Sequence, residues 1–219
     1  RTESAILEKA AAFSTLKADC VEWRADWFDA VSDVNALAHC LHGLRAALGE
    51  KLLLVTFRTQ AEGGEKPLAQ EEYAAFCTTV CASGCADLLD IEFFPNRKAL
   101  PALIAQAHAS HDFEKTPPKE ELVRRMTAMQ QAGADLPKLA VMPRSRADVL
   151  ELLAATAEMT DLHPETPVIT MSMGALGGVS RLCGEAFGSA MTFANPGTAS
   201  APGQVPLDVV NAVLDSLAL

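Results

Sequence analysis

The chain has 219 residues, of which 49% are hydrophobic, and a formal net charge of -10. A chain of this size can bury roughly 70% of the surface that it exposes when unfolded, so we expect a single domain over residues 1–219. No basic run collects the 18 lysines and arginines, which argues against a nucleic-acid or anionic-membrane partner. No apolar run approaches the roughly 20 residues of a membrane span, and nothing resembles a signal peptide, so we expect a cytoplasmic location.

The six cysteines are expected to be reduced in a cytosolic chain of this size. Cys77, Cys81 and Cys85 recur every four residues and would form one row on a helix. A metal site in this row is the less favoured interpretation, because the neighbouring Phe76 and Val80 are typical of a helix packed on a sheet. We predict neither a metal nor a cofactor.

The hydrophobic pattern predicts helices and strands that alternate along the chain. The predicted helices cover about 3–14, 33–47, 68–83, 98–108, 116–133, 149–158, 179–187 and 205–217. The predicted strands cover about 18–27, 51–58, 88–94, 137–143, 167–173 and 191–195, and a glycine-rich turn covers 174–178. This alternation calls for a parallel sheet, either doubly wound or closed as an eight-stranded barrel.

Ionisable residues on the strands decide between these two folds. In the first strand, Glu22, Arg24 and Asp26 share a face, and in the third strand Asp90 and Glu92 do the same. Helices cover both faces of a doubly wound sheet, whereas the mouth of a barrel can hold a polar interior around a ligand. We therefore predict an α/β fold of the TIM-type (β/α)8 barrel class. Asp90 and Glu92 are interpreted as ion partners of Arg24 or Arg58 rather than as catalytic carboxylates.

Lys138 stands inside a short apolar strand, Pro137 to Pro143. A buried ammonium is costly unless it is paired or loses its proton, and the neutral amine is a nucleophile. The alternative is a lysine whose stem lies in the sheet while its head reaches solvent at the strand end. The segment alone favours neither interpretation.

Barrel enzymes carry their sites at the carboxyl ends of the strands. Arg58, Glu62, His111 and the turn before Arg181 fall at such positions, whereas Lys138 lies early in its strand and fits the rule less well. Taken singly, His111 could equally be a turn histidine bonded to Asp112, and Arg181 could be a surface helix residue. His108, at the predicted helix end, is interpreted as structural.

Several motifs, in order over nearly the whole chain, resemble those of the type I 3-dehydroquinate dehydratase family, the Schiff-base enzymes of the shikimate pathway. They are Glu22-Trp-Arg24-Ala-Asp26, Thr56-Phe-Arg58 with Glu62-Gly-Gly, Ser110-His111-Asp-Phe, Pro137-Lys138-Leu-Ala-Val-Met-Pro143, Pro167 to Met173, Ser180-Arg181-Leu and Ser200-Ala-Pro-Gly-Gln204. The 27 residues between His111 and Lys138 also look like the spacing in that family.

The resemblance implies conversion of 3-dehydroquinate into 3-dehydroshikimate. Lys138 would form an imine with the ring ketone, and His111 would remove the neighbouring proton and then assist departure of the hydroxyl group. Glu62 would orient His111. The resemblance further implies that Glu22, Arg24 and Arg58 bind ring hydroxyls and that Arg181 binds the carboxylate. It implies that Met171, Met173 and Phe193 contact the apolar side of the ring. Ser200 and Gln204 would belong to a closing lid. A homodimer is also expected.

The chain departs from the family pattern at two strands. No strand precedes the first helix, and the strand before His111 looks several residues too short. We expect that the printed sequence omits segments, because the catalytic motifs are otherwise intact. The other functions considered are a different Schiff-base barrel lyase or aldolase, a non-catalytic barrel that binds shikimate-pathway intermediates, and one domain of a multifunctional polypeptide.

Overall fold

Parallel strands alternate with helices in both compact units of the chain, residues 1–107 and 108–219. The computed structural model describes residues 1–92, 108–112, 114–197 and 201–217, and for residues 108–111 it describes the backbone alone. The predicted α/β class with parallel strands is confirmed.

The described part of the first unit, residues 1–92, contains three parallel strands and three helices. The strands are β1 (Cys20–Arg24), β2 (Leu52–Thr56) and β3 (Leu88–Glu92), and the helices are α1 (Glu3–Phe13), α2 (Val34–Leu48) and α3 (Gln70–Ser83). Short 3-10 turns cover Ala25–Trp27 and Gln60–Glu62. Strand β2 pairs with both β1 and β3. Helix α2 begins where Asp33 Oδ1 accepts hydrogen bonds from the amides of Asn35 and Ala36.

The register of the first unit separates polar and apolar faces. Arg24 pairs with Thr56, and Thr56 pairs with Asp90, so these three residues occupy one face. Val55 and Leu89, on the opposite face, are fully buried. The side chains of Phe57, Tyr73 and Phe76 form edge-to-face and tilted aromatic contacts. Helix α3 thereby covers the apolar side.

The second unit contains strands β4 (His108–Asp112), β5 (Lys138–Val141), β6 (Ile169–Ser172), β7 (Ala194–Asn195) and β8 (Val205–Pro206). Its helices are α4 (Lys119–Gln131), α5 (Arg146–Leu162), α6 (Gly174–Cys183) and α7 (Leu207–Leu217), with a 3-10 turn over Gly184–Phe187. Strand β5 pairs in parallel with β4 and β6, and β7 pairs with β8.

The two faces of β5 differ in what covers them. Leu139 and Val141 join a buried cluster with side chains of α4 and α5, among them Met126 and Leu152. Lys138 and Ala140 occupy the other face, where Ala140 packs with Ile169, Met171 and Met173. The side that is not covered by helices α4 and α5 therefore carries the lysine.

Three sequence predictions about elements are wrong. The strand before His111 is not truncated, because β4 has five residues, as many as β1, β2 and β3, and includes His111 itself. His108 therefore begins a strand rather than ending a helix. Residues 174–178 belong to helix α6 instead of forming a turn. In each case tertiary packing overrides weak local propensity.

The remaining differences are at element ends. The first strand ends at Arg24, and the strand predicted over 191–195 begins only at Ala194. The helix predicted over 98–108 lies outside the described residues except for His108. No helix within the described part of the chain combines the length and apolar character that crossing a membrane requires.

Candidate active site

In the first unit, two arginines and five carboxylates form a carboxylate–arginine cluster, which consists of Glu22, Arg24, Asp26, Arg58, Glu62, Asp90 and Glu92. Strands β1 and β3 position Glu22, Arg24, Asp90 and Glu92, and the segment after β2 carries Arg58 and Glu62. Glu22 Oε1 accepts a hydrogen bond of 2.8 Å from the Thr56 hydroxyl on the neighbouring strand. Every predicted site residue of this unit belongs to the cluster.

Arg58 is the centre of the cluster. Its guanidinium is 4% exposed, and Nη2 lies 2.7 Å from Asp90 Oδ2. Nη1 lies 3.3 Å from both Glu62 Oε2 and Glu92 Oε1. Burial alone would lower the pKa of Arg58, but Asp90, Glu92 and Glu62 outweigh it and raise that pKa above its ordinary value. The predicted role of Asp90 and Glu92 as ion partners of Arg58 is confirmed.

Asp26 is fully buried and holds Arg24. Its two carboxylate oxygens accept from Nε and Nη2 of Arg24, each over 2.7 Å. The same carboxylate accepts from the backbone amides of Arg58, at 3.4 Å, and Glu65, at 3.1 Å. Burial lowers the pKa of Arg24, but the bond to Asp26 overcomes this and leaves that pKa raised.

Glu62 lies in a tightly folded segment. It ends the 3-10 turn Gln60–Glu62, and Gly63 follows with a left-handed φ of 77°. The Gly64 amide donates to the Thr59 carbonyl at 2.8 Å, and a Cβ atom on Gly64 would clash with the carbonyl oxygen of Arg58. Only glycine fits this approach. The segment therefore presents Glu62 in one backbone conformation.

In the second unit, Lys138 is the first residue of β5 and is only 5% exposed. Its Nζ atom lies 4.6 Å from the centre of the Phe193 ring. The head of the side chain therefore does not reach solvent, which excludes the interpretation that only its stem is buried. The predicted early position in the strand is confirmed.

Arg181, on α6, is 2% exposed, so its interpretation as a surface residue is wrong. Its guanidinium makes three long contacts, with Met171 Sδ at 3.7 Å, the Phe193 carbonyl at 3.5 Å and the Pro202 carbonyl at 3.4 Å. Its Nε atom has no hydrogen-bond partner, and no acid pairs with it among the described residues. Burial lowers the pKa of Arg181. A buried guanidinium in this state is suited to bind an anion.

Phe193 connects Lys138 and Arg181, since its ring faces Lys138 and its carbonyl faces Arg181. Met171 contacts Arg181, and Met173 packs beside Met171. The structure thus brings together Lys138, Met171, Met173, Arg181 and Phe193, which the sequence predicts as one site.

The segment 201–204 lies against the start of α6. The Gly174 amide donates to the Pro202 carbonyl at 3.3 Å, and Gly203, with φ of 75°, approaches Gly174 so closely that a Cβ atom would clash. The Gln204 carbonyl accepts from Asn195 Nδ2 at 3.1 Å. Ser200, the other predicted lid residue, lies outside the described residues.

His111 is described by its backbone alone. It pairs with Ala140, while Ala109 pairs with Lys138, so His111 holds a register position two residues beyond Lys138 on the same face of the sheet. Its side chain lies outside the described part of the structure, and so does any contact that it makes.

Sequence reasoning missed several residues that hold the site. Asp26, Thr59 and Tyr73 bind members of the carboxylate–arginine cluster, and Asn195 binds the backbone of Gln204. The hydroxyl of Tyr73 accepts from the Glu92 amide at 2.9 Å, and burial, the largest effect, raises the pKa of Tyr73 well above its ordinary value. For Asp26, alternation predicted a place on the polar face with Glu22 and Arg24 but no role.

The second unit buries an amine and an arginine against the same phenylalanine, and the first unit holds two further arginines among carboxylates, which is typical of enzymes that act on small anionic molecules. The family model for type I 3-dehydroquinase matches residues 1–219. The chain is 46% identical to the 3-dehydroquinate dehydratase of Bacillus licheniformis over 218 residues, which cover 96% of this chain and 86% of that protein.

Solved structures agree with this match. The type I 3-dehydroquinate dehydratase of Clostridium difficile superposes with a TM-score of 0.95 at 40% identity, covering 99% of this chain and 88% of that one. The enzyme of Enterococcus faecalis gives a TM-score of 0.90 at 41% identity, covering 98% and 89%. The chain belongs to the type I 3-dehydroquinase family.

Proposed function

We propose that the chain dehydrates 3-dehydroquinate to 3-dehydroshikimate, a step of the shikimate pathway, through an imine on Lys138. The dehydration is the reaction for which its relatives are named, and the chain is an enzyme of this kind. The observation that carries the imine route is the burial of Lys138 on the face of β5 that helices α4 and α5 do not cover. An amine that is held away from water can be used as a nucleophile.

The covalent steps follow from the chemistry of an amine and a ketone. The Lys138 amine attacks the ring ketone, and loss of one water with uptake of one proton gives a protonated imine. Removal of the neighbouring proton sends its electron pair towards the imine nitrogen, which gives an enamine. Return of that pair expels the β-hydroxyl group as water and leaves a carbon–carbon double bond. Hydrolysis of the imine releases 3-dehydroshikimate and restores the amine.

His111 is assigned the proton transfers. Histidine exchanges a proton near neutral pH, so it can take the proton from carbon and then give it to the departing hydroxyl group. Glu62, by resemblance to the family, fixes the orientation of that histidine. Its backbone conformation and its contact with Arg58 support a role that needs a fixed carboxylate.

Arg181 is assigned the substrate carboxylate, which supplies the anion that its guanidinium lacks. Glu22, Arg24 and Arg58 bind ring hydroxyls, and Met171, Met173 and Phe193 contact the apolar side of the ring. Ser200 and Gln204 belong to a lid that excludes water from the imine. The contact of the Pro202 carbonyl with Arg181 supports a link between this lid and the carboxylate position.

A solved relative supports a covalent route. The Clostridium difficile structure contains covalently modified comenic acid. A covalently modified ligand in a relative at 40% identity is consistent with a nucleophilic side chain in this family.

Borohydride trapping tests the imine. Incubation with 3-dehydroquinate and borohydride is expected to add one reduced ligand mass to the chain, on the peptide that contains Lys138. The Lys138→Met variant keeps the length of the side chain and is expected to give no adduct and a loss of turnover of about 1,000-fold or more, because the covalent route is removed. Lys119→Met, at a half-buried lysine paired with Glu158, is the matched control. An adduct on another lysine contradicts the assignment.

Three further features are also proposals, namely a TIM-type barrel, a homodimer and a cytoplasmic location. A TIM-type barrel is supported by the alternation of parallel strands with helices and by the likeness to the solved type I structures. A homodimer is supported by exposed apolar side chains on α6, such as Leu176 and Val179, and sedimentation equilibrium tests it. A cytoplasmic location is proposed from the reaction itself.

A further inference from the structure

We propose that Asp26 is a positioning residue for turnover, because it fixes both Arg24 and the loop that presents Glu62. This loop, the Glu62 loop, runs from Arg58 to Glu65. The inference rests on the function proposed above, in which Glu62 and Arg24 take part in the reaction and in substrate binding.

Four hydrogen bonds reach the Asp26 carboxylate from three different places in the chain. Arg24 donates two from the end of β1, over 2.7 Å each. The amides of Arg58 and Glu65 donate one each, at 3.4 Å and 3.1 Å, from the first and last residues of the Glu62 loop. One buried side chain therefore joins the two ends of the loop to each other and to β1.

A second carboxylate holds the same loop near its start. Glu92 Oε1 accepts from the Thr59 amide and Oε2 accepts from the Thr59 hydroxyl, each over 2.7 Å. The loop is further closed by the Gln60 amide, which donates to the Lys66 carbonyl at 3.0 Å. Glu92 thus restrains one end of the loop, whereas Asp26 is the carboxylate that restrains both ends.

The burial of Asp26 makes the loss of its hydrogen bonds costly. Asp26 is 0% exposed and Arg58 is also buried, so water does not replace the acceptor that the Arg58 amide would lose, and that amide carries the penalty of a buried unpaired donor. Asp26→Asn keeps the shape but turns one oxygen into an NH2 group that faces donors. The loop and Arg24 must then move, and a displacement of about 1 Å at a catalytic group can cost about 100-fold in rate.

The experiment is a double-mutant cycle on turnover of 3-dehydroquinate. Asp26→Asn is expected to lower kcat/KM about 100-fold in the wild-type chain, and less than about tenfold in the Glu62→Gln background, because the carboxylate that it positions is already absent there. Leu41→Ala, which removes buried volume on α2, serves as the control for lost stability and keeps kcat near the wild-type value.

Two kinetic results overturn the inference. One is an Asp26→Asn protein that turns over within about twofold of wild type while Glu62→Gln is slow. The other is an equal loss in both backgrounds, which shows that Asp26 does not act through Glu62. A Glu62→Gln protein with wild-type turnover is a separate outcome, which instead contradicts the proposed role of Glu62.

Hydrogen exchange on the wild-type chain tests the contact even if Asp26→Asn does not fold. The Glu65 amide is expected to be protected at least about tenfold relative to an unstructured amide, because it donates to a buried carboxylate. Exchange of that amide at the unprotected rate overturns the proposal without any substitution.

Discussion

Arg181 and Arg58 are both buried, but their surroundings differ in a way that has opposite consequences. Arg58 faces Asp90, Glu92 and Glu62, whereas Arg181 has only long contacts to a sulfur and two carbonyls among the described residues. A buried charge without a counter-ion destabilises the fold unless other interactions offset the free-energy cost of its desolvation. Arg181 is thus retained at the expense of stability, which is expected of a ligand-binding group.

Arg181→Met is predicted to weaken activity without weakening the fold. The loss of a charge-assisted contact of about 3 kcal/mol raises KM about 100-fold. The thermal midpoint stays equal or rises, because an unpaired buried charge is removed. Steady-state kinetics and thermal unfolding measure the two effects.

The matched variant is Arg58→Met, which leaves its carboxylates without their cation and is expected to destabilise the fold by about 3–5 kcal/mol. A midpoint for Arg181→Met that falls as far as that of Arg58→Met contradicts the argument.

Among the elements, helix α6 shows why adjacent glycines are not equivalent. A Cβ atom on Gly177 would clash with the Ser172 carbonyl oxygen of β6, whereas nothing lies within 4 Å of one on Gly178. Gly177 thus permits close packing of helix on strand, and Gly178 only lowers helix propensity.

Gly177→Ala is therefore expected to lower the free energy of unfolding by about 2 kcal/mol through overpacking. Gly178→Ala, its control, is expected to raise that free energy by up to about 1 kcal/mol. Urea unfolding measures both. Equal effects of the two variants are incompatible with this packing.

Helix α4 carries a pH-dependent ion-pair cluster on its surface. Glu121 accepts from Arg124 at 2.6 and 2.7 Å and from Arg125 at 2.9 Å. The bonds from Arg124 and then Arg125 lower the pKa of Glu121 from 4.5 to about 2. Because the folded-state pKa is depressed, the stabilisation is complete above pH 4.5 and is lost as the pH falls towards 2.

Glu121→Gln should therefore cost about 0.5–1 kcal/mol at pH 7, the range of exposed ion pairs. Its difference from wild type, measured by urea unfolding, should shrink between pH 4.5 and 2. Glu120→Gln, at an exposed neighbouring position, is the control. A difference that persists unchanged at low pH excludes this ion pair as the cause.

For the chain as a whole, the alternation of elements and the motifs in the sequence predicted the fold class and part of the candidate site. The α/β class, the early position of Lys138 and the pairing of Arg58 with Asp90 and Glu92 are all confirmed. Strand β4 was predicted too short because His, Ser and Asp have little intrinsic strand preference, and its pairing with β5 decides its conformation. Asp26 was predicted on the polar face with Glu22 and Arg24, but its bonds to the amides of Arg58 and Glu65 were not predicted, because alternation indicates a face and not a partner beyond the end of β1 at Arg24.

The net charge of -10 opposes the approach of an anionic substrate, while Arg181 attracts it only at short range. Screening extends over about 30 Å at 10 mM salt and about 8 Å at 150 mM, so added salt weakens the long-range repulsion more than a buried contact. We predict that kcat/KM for 3-dehydroquinate rises roughly twofold between these concentrations. The rise should persist in Arg181→Met, because the whole chain produces the repulsion. A fall of kcat/KM with salt, absent in Arg181→Met, would show instead that this arginine steers the substrate from a distance.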